Sequence, residues 1–215
     1  MRTAAVPATT ELMKRFPGRR AAFAALATLG SVVAAAVALL GCRPGAAPFN
    51  NVDITGAPYA QNFSLTDTSG ARRTLADFRG KVVVVFFGYT QCPDICPTTM
   101  SDLANVKQKL GPAGGALQVI FITLDPERDT RQVLAEYVGH FDPGFVALSG
   151  TADETAQTAR DFKVFYQKVP GKTPTSYSLD HTAGSFVFDK DGKIRLFLRH
   201  GGDVEPIMAD LKRLV

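Results

Sequence analysis

At 215 residues, with 46% hydrophobic and 20% charged residues, the chain is long enough for one domain with a core, plus an appendage. Its net charge of +4 is confined to residues 1–41, where Arg2, Lys14, Arg15, Arg19 and Arg20 stand against Glu11. The remainder is balanced, so the charge gives no support for nucleic-acid binding, which would need a basic patch on the folded domain.

Ala21 to Gly41 carries no charge and follows a cationic stretch, so residues 1–42 read as a signal or membrane-anchor segment rather than part of the fold. As a helix it would be about 31 Å long, enough to span a bilayer. It also ends in Leu39-Leu40-Gly41-Cys42, a pattern similar to a bacterial lipobox, with Cys42 as the lipidation site. Both readings, lipid anchor and transmembrane helix, tether the rest of the chain to the periplasmic side of a bacterial cytoplasmic membrane. Residues 43–58, rich in Pro, Ala, Gly and Asn, read as a linker, and residues 59–215 as the folded domain.

Within the domain, Phe63-Ser64-Leu65 and Arg73-Thr74-Leu75 flank the turn Asp67-Thr68-Ser69-Gly70 and predict a hairpin. Val82 to Phe87 is apolar and mostly β-branched, the pattern of a strand buried on both faces. A helix is predicted from Thr98 to Leu110, stopped by Gly111-Pro112, and a second apolar strand from Leu117 to Thr123. Asp129 is the expected N-cap of the next helix, with Gln132 as its capping-box partner and an end near Gly139. Phe145 to Leu148 reads as a short strand. Thr151 and Glu154 form a capping box opening a helix to about Phe162, and Val164 to Lys168 reads as a short strand. Ser185 to Phe188 and Ile194 to Leu198 flank Asp189-Lys190-Asp191-Gly192-Lys193, a hairpin signal, and a last helix is predicted from Val204 to Leu214. This order implies an α/β fold, a mixed central sheet flanked by helices on both faces.

The chemistry concentrates at Cys92 and Cys96, between the first buried strand and the helix after it, and at His181 far downstream. A helix N-terminus favours thiolate over thiol, and thiolates are both nucleophiles and soft metal ligands. The pair is therefore redox-active, metal-binding or both. Asp125 and Asp129 read as turn and cap residues, and His140 and His200 as histidines near element ends. Asp94, between the thiols, would either raise the thiolate pKa or attract a cationic partner surface.

Three segments, Phe86-Phe87-Gly88-Tyr89-Thr90-Gln91-Cys92-Pro93-Asp94-Ile95-Cys96-Pro97, Thr123-Leu124-Asp125-Pro126-Glu127-Arg128-Asp129-Thr130 and Asp180-His181-Thr182, occur in that order. Together they resemble the Sco/SenC family of copper-delivery proteins, a branch of the thioredoxin superfamily, over about residues 60–215. The resemblance implies a thioredoxin-like fold and copper, Cu(I) or Cu(II), bound through Cys92, Cys96 and His181. It also implies a role in assembling the dinuclear copper site of cytochrome c oxidase, with subunit II of that oxidase or another copper-accepting protein as partner. One departure is Gln91, where many members carry histidine; that position is not one of the family's metal ligands.

Two thiolates and an imidazole suit copper, and three protein ligands leave a coordination shell open for transfer. A closed structural zinc site would want four ligands, and residues 43–215 hold no third cysteine. The competing expectation is a thiol–disulfide oxidoreductase, with Cys92 and Cys96 as its catalytic pair, keeping the copper-ligand cysteines of a client reduced. The spacing is Cys-x-x-x-Cys rather than Cys-x-x-Cys, which weighs against a general oxidoreductase. A thiol peroxidase fits less well, because Thr90 is two residues before Cys92 rather than three.

Overall fold

A computed structural model describes residues 47–173 and 176–215. In chain order its elements are β1 (Val52–Asp53), β2 (Ser64–Asp67), β3 (Arg72–Thr74), β4 (Val82–Gly88), α1 (Ile95–Lys109), β5 (Leu117–Thr123), α2 (Arg131–Phe141) and β6 (Val146–Ser149). They continue with α3 (Ala152–Asp161), β7 (Tyr166–Pro170), β8 (Tyr177–His181), β9 (Gly184–Phe188), β10 (Ile194–Arg199) and α4 (Val204–Lys212). Among the described residues, eight strands make one sheet in the order β1-β10-β9-β4-β5-β6-β2-β3. The pairs β4–β5 and β5–β6 are parallel and the others antiparallel. β7 and β8 form a separate two-stranded ribbon.

Every residue of β4, β5 and β9 is buried, as their apolar runs require of central strands covered on both faces. Phe86 and Phe87 point to opposite sides because successive strand residues alternate. Phe86 meets Phe121, centroids 6.1 Å apart, and Phe121 meets Tyr137 of α2 at 5.2 Å. Phe87 instead meets Phe162, just past α3, at 5.1 Å, and Phe162 meets Phe186 of β9 at 5.2 Å. Helices α2 and α3 thus cover opposite faces, as the element order implied. The register Gly88↔Thr123 sets the carboxyl ends of β4 and β5 side by side. In open α/β sheets that edge is where ligands bind.

Several local expectations shift. Helix α1 starts at Ile95, before Pro97, because proline is tolerated in a first turn, where its missing N–H has no intrahelical partner to lose. The N-cap of α2 is Thr130, whose hydroxyl accepts from Val133 N–H; Asp129 is turned inward and Gln132 pairs with Glu136. The last strand before β9 was not anticipated: β8 alternates exposed Ser178 and Asp180 around a single buried Leu179, too short a pattern to register as a period.

The stretch read as linker contributes to the sheet. Phe49–Val215 forms one compact unit, and Val52 and Asp53 pair with Phe197 and Leu196 of β10. The buried carboxylate of Asp210 in α4 accepts from the backbone N–H groups of Asn50 and Asn51 (3.0 and 2.8 Å) and from both their side-chain amides (2.8 and 2.9 Å). A two-residue strand leaves no periodicity, and paired asparagines read as loop, so composition hid this tie. The uncharged segment 21–41 and Cys42 lie outside the described residues. Among the described residues no helix is long and apolar enough to cross a membrane.

Candidate metal and thiol centre

The chain places Cys92 in the loop leaving β4, Cys96 in the first turn of α1, and His181 at the last position of β8. One ligand atom from each lies within 4.8 Å of the other two. Cys96 Sγ is 3.7 Å from His181 Nε2. Cys96 is fully buried, whereas Cys92 and His181 are partly exposed, so the cluster opens outward on the side of those two. Both cysteines are free thiols.

Gly88, the last residue of β4, makes room for the inner sulfur. A Cβ there would stand 2.8 Å from Cys96 Sγ, 3.0 Å from Phe121 Cε2 and 3.1 Å from Phe86 Cε1. The outer wall is aromatic: the His181 ring sits edge-on to Phe86 at 6.3 Å and to Tyr89 at 6.1 Å. His181 Nδ1 is 3.0 Å from the Thr182 carbonyl oxygen. A carbonyl only accepts, so Nδ1 donates this hydrogen bond, which turns the Nε2 edge of the ring toward the sulfurs.

The two thiols are unequal. The Cys96 thiol donates to the Cys92 sulfur, the Asp94 and Cys96 backbone N–H groups also point at it, and His181 adds a favourable charge; together they outweigh its burial and hold the Cys92 pKa down to about 5. Cys96 is driven well above the thiol range, because it is the donor to the Cys92 thiolate and because it is buried. The reduced centre thus holds one thiolate, Cys92, and one shared proton on Cys96. Asp94 acts through its backbone N–H at the start of α1, a role its acidic side chain did not suggest.

Asp129 fixes the base of the cysteine loop. Its buried carboxylate accepts from Thr90 N–H (3.0 Å), Thr90 Oγ1 (2.6 Å) and Thr123 Oγ1 (2.6 Å), which joins the loop to the end of β5. Burial raises the Asp129 pKa against these hydrogen bonds. The hint of this in the sequence is its place in the Thr123–Thr130 segment, where a local capping role already accounts for an aspartate. His200 is elsewhere, its Nδ1 2.9 Å from Thr99 Oγ1, and His140 lies in the last turn of α2 against Phe141. Among the described residues neither joins the cluster.

A family model described as SCO1/SenC matches residues 52–215. A mitochondrial SCO2 homolog from Bos taurus is 37% identical over 154 residues, 71% of this chain and 58% of that protein. The chain thus spans about three fifths of that relative's length. An SCO2-like protein from Rickettsia felis is 36% identical over 152 residues, 70% of each chain. Among solved structures, Bradyrhizobium japonicum ScoI with copper bound is 38% identical, with a TM-score of 0.66 over 72% of this chain and 98% of that one. The solution structure of apo Sco1 from Thermus thermophilus is 37% identical, with a TM-score of 0.70 over 80% of this chain and 99% of that one. The fold is therefore the thioredoxin-like one expected, and the chain belongs to the SCO1/SenC family.

Proposed function

We propose that this protein is a membrane-tethered copper metallochaperone that binds copper through Cys92, Cys96 and His181. It delivers the metal to the dinuclear copper site of cytochrome c oxidase, presented by subunit II. The observation that carries this reading is the convergence of two sulfurs and an imidazole nitrogen within 4.8 Å of one another around an opening to solvent. Copper-bound structures of similar proteins, including ScoI from Bradyrhizobium japonicum, support copper as the cargo. The family resemblance supplies the acceptor, and the charge pattern of residues 1–42 supports the tether and the periplasmic placement.

The chemistry follows from the asymmetry of the pair. Cys92, already a thiolate and partly exposed, meets incoming copper first. Copper then displaces the proton that Cys96 holds, and His181 Nε2, aimed by the Nδ1 hydrogen bond, supplies the third donor. Soft thiolates favour Cu(I), and the imidazole accommodates Cu(II). Three protein donors leave the shell open, so an acceptor's ligands can enter from the Cys92 and His181 side before the buried Cys96 lets go.

The test is a copper titration of the reduced full-length protein in detergent, beside His181→Ala. One copper per chain with thiolate-to-Cu(II) charge-transfer absorption is expected, with affinity lost or greatly weakened in the variant. Retained Cu(II) affinity without His181 overturns the ligand assignment.

A second reading, a thiol–disulfide oxidoreductase acting on a client's copper-ligand cysteines, draws on the same unequal pair. Cys92 thiolate would attack the client disulfide and release one client thiolate. Cys96, giving up its proton, would then attack the Cys92 sulfur of the mixed disulfide and release the second. The client gains two electrons and the pair becomes a disulfide. A wild-type protein that reduces such a client but binds no copper would favour this reading.

A further inference from the structure

We propose that Arg128 is a positioning residue for the centre: it locks the hairpin carrying His181 to the loop carrying Cys92. The consequence for copper rests on the reading above. β8 pairs only with β7 among the described strands, so no sheet ladder joins the strand that ends in His181 to β4 and β5. The 3.7 Å approach of His181 Nε2 to Cys96 Sγ therefore depends on ties outside the main sheet. At the His181 end, Thr182 and Phe165 exchange two hydrogen bonds, but both lie beside the same ribbon and do not reach the cysteine loop.

Arg128 makes that connection from the other end of β8. Its guanidinium lies over the Tyr177 ring, 3.6 Å from the centroid, and its Nη1 donates to the Tyr177 carbonyl oxygen at 2.9 Å. The same nitrogen donates to Gln91 Oε1 at 3.1 Å, one residue before Cys92. Its Nε donates to the buried carboxylate of Asp125, and Asp125 accepts from the Tyr177 hydroxyl at 2.7 Å. One planar cation thus touches the cysteine loop, the connection after β5 and the first residue of β8. It also lies 5.8 Å from the ring of Tyr89, which is edge-on to His181. A lysine could keep the charge but neither the fork nor the stacking. If the charge alone mattered, Arg128→Lys would behave as wild type.

The experiment compares full-length wild type, Arg128→Lys and Tyr177→Leu, the last removing the stacked ring and the hydroxyl without touching the arginine. Hydrogen exchange is measured first on the reduced, metal-free proteins. Faster exchange of β7–β8 amides, with β4, β5 and β9 unchanged, is expected in both variants. Copper titration is then expected to show Cu(II) affinity lowered by roughly 10–100-fold, the usual effect of losing a group that orients a metal ligand. The charge-transfer spectrum should move toward that of His181→Ala. Unchanged β7–β8 exchange in Arg128→Lys overturns the lock, whatever copper does. A loosened hairpin with wild-type affinity and spectrum overturns its role at the centre. Failure of wild type to bind copper removes the function proposed above, while the exchange data still decide the lock.

Discussion

Replacing Gly88 with alanine tests how the fold accommodates the inner sulfur. The new methyl would stand 2.8 Å from Cys96 Sγ, 3.0 Å from Phe121 Cε2 and 3.1 Å from Phe86 Cε1. Nonbonded carbons settle at about 3.5–4.0 Å, so each neighbour must retreat by roughly 0.5–1 Å. None can do so freely, because Phe86, Phe121 and Cys96 are all fully buried. Overpacking of this kind costs about 1–3 kcal/mol. A domain of this size loses about 2–4 °C of Tm per kcal/mol, so the reduced, metal-free variant should melt roughly 2–12 °C lower. Cys96 Sγ is the nearest of the three, and moving it weakens the hydrogen bond that most depresses the Cys92 pKa. The iodoacetamide alkylation profile of Cys92 should therefore shift to higher pH. Thermal unfolding and alkylation rate against pH, run on the same preparations, read both effects. An unchanged midpoint with an unchanged alkylation profile would refute the close packing of Gly88 on the sulfur.

The unequal thiols also predict how stability depends on pH. The Cys92 pKa is depressed in the folded protein, so its stabilising contribution is complete above the unfolded thiol value and is lost as pH falls through about 5. The reduced protein should accordingly gain stability between pH 5 and pH 8, and Cys92→Ser should flatten that rise; parallel denaturation curves for the two proteins would expose an error in the assignment. Cys96 works in the opposite sense: its raised pKa makes the fold lose stability at alkaline pH, once the unfolded chain ionises that thiol and the native one does not. Asp129→Ala should be strongly destabilising, because it leaves three donors on Thr90 and Thr123 without their acceptor, at about 1–3 kcal/mol for each one left buried and unpaired. Urea denaturation with a midpoint equal to wild type would show that Asp129 does not anchor the loop.

Much of this was legible in the sequence because the central strands are unusually explicit. The runs at Val82–Gly88 and Leu117–Thr123 can only be buried, and the cysteine motif at the end of the first locates the centre. The role of His181 as a ligand was legible only through the family resemblance, since a five-residue strand with one buried side chain carries little pattern of its own. The groups that hold the centre were harder to read. Asp129 and Thr130 are both good N-caps, and nothing local says that the first faces inward while the second caps. Arg128 and Tyr177 are separated by 49 positions, and their stacking exists only once the topology brings β8 beside the β5–α2 connection. Asn50 and Asn51 were hidden for a similar reason: their partner, Asp210, is 160 positions from Asn50 and near the other terminus.

The spacing of the two cysteines takes on meaning through where α1 begins. With Ile95 as its first residue, Cys96 is carried into the helix and fully buried beside Gly88, while Cys92 stays in the loop, partly exposed. One sulfur becomes an inner proton donor and the other an outer thiolate. That division serves metal capture and disulfide exchange equally well, so the cysteines by themselves do not separate the two functions. Oxidation consumes both sulfurs and removes them as ligands, so under the proposed function the redox state is a switch on copper loading. His181 is different. A thiol–disulfide exchange of the kind described needs no third donor, yet the fold sets this ring's Nε2 at 3.7 Å from the buried sulfur and fixes the ring's orientation through Thr182. An imidazole nitrogen turned toward two sulfurs is an arrangement a metal uses, and it weighs toward copper as the cargo.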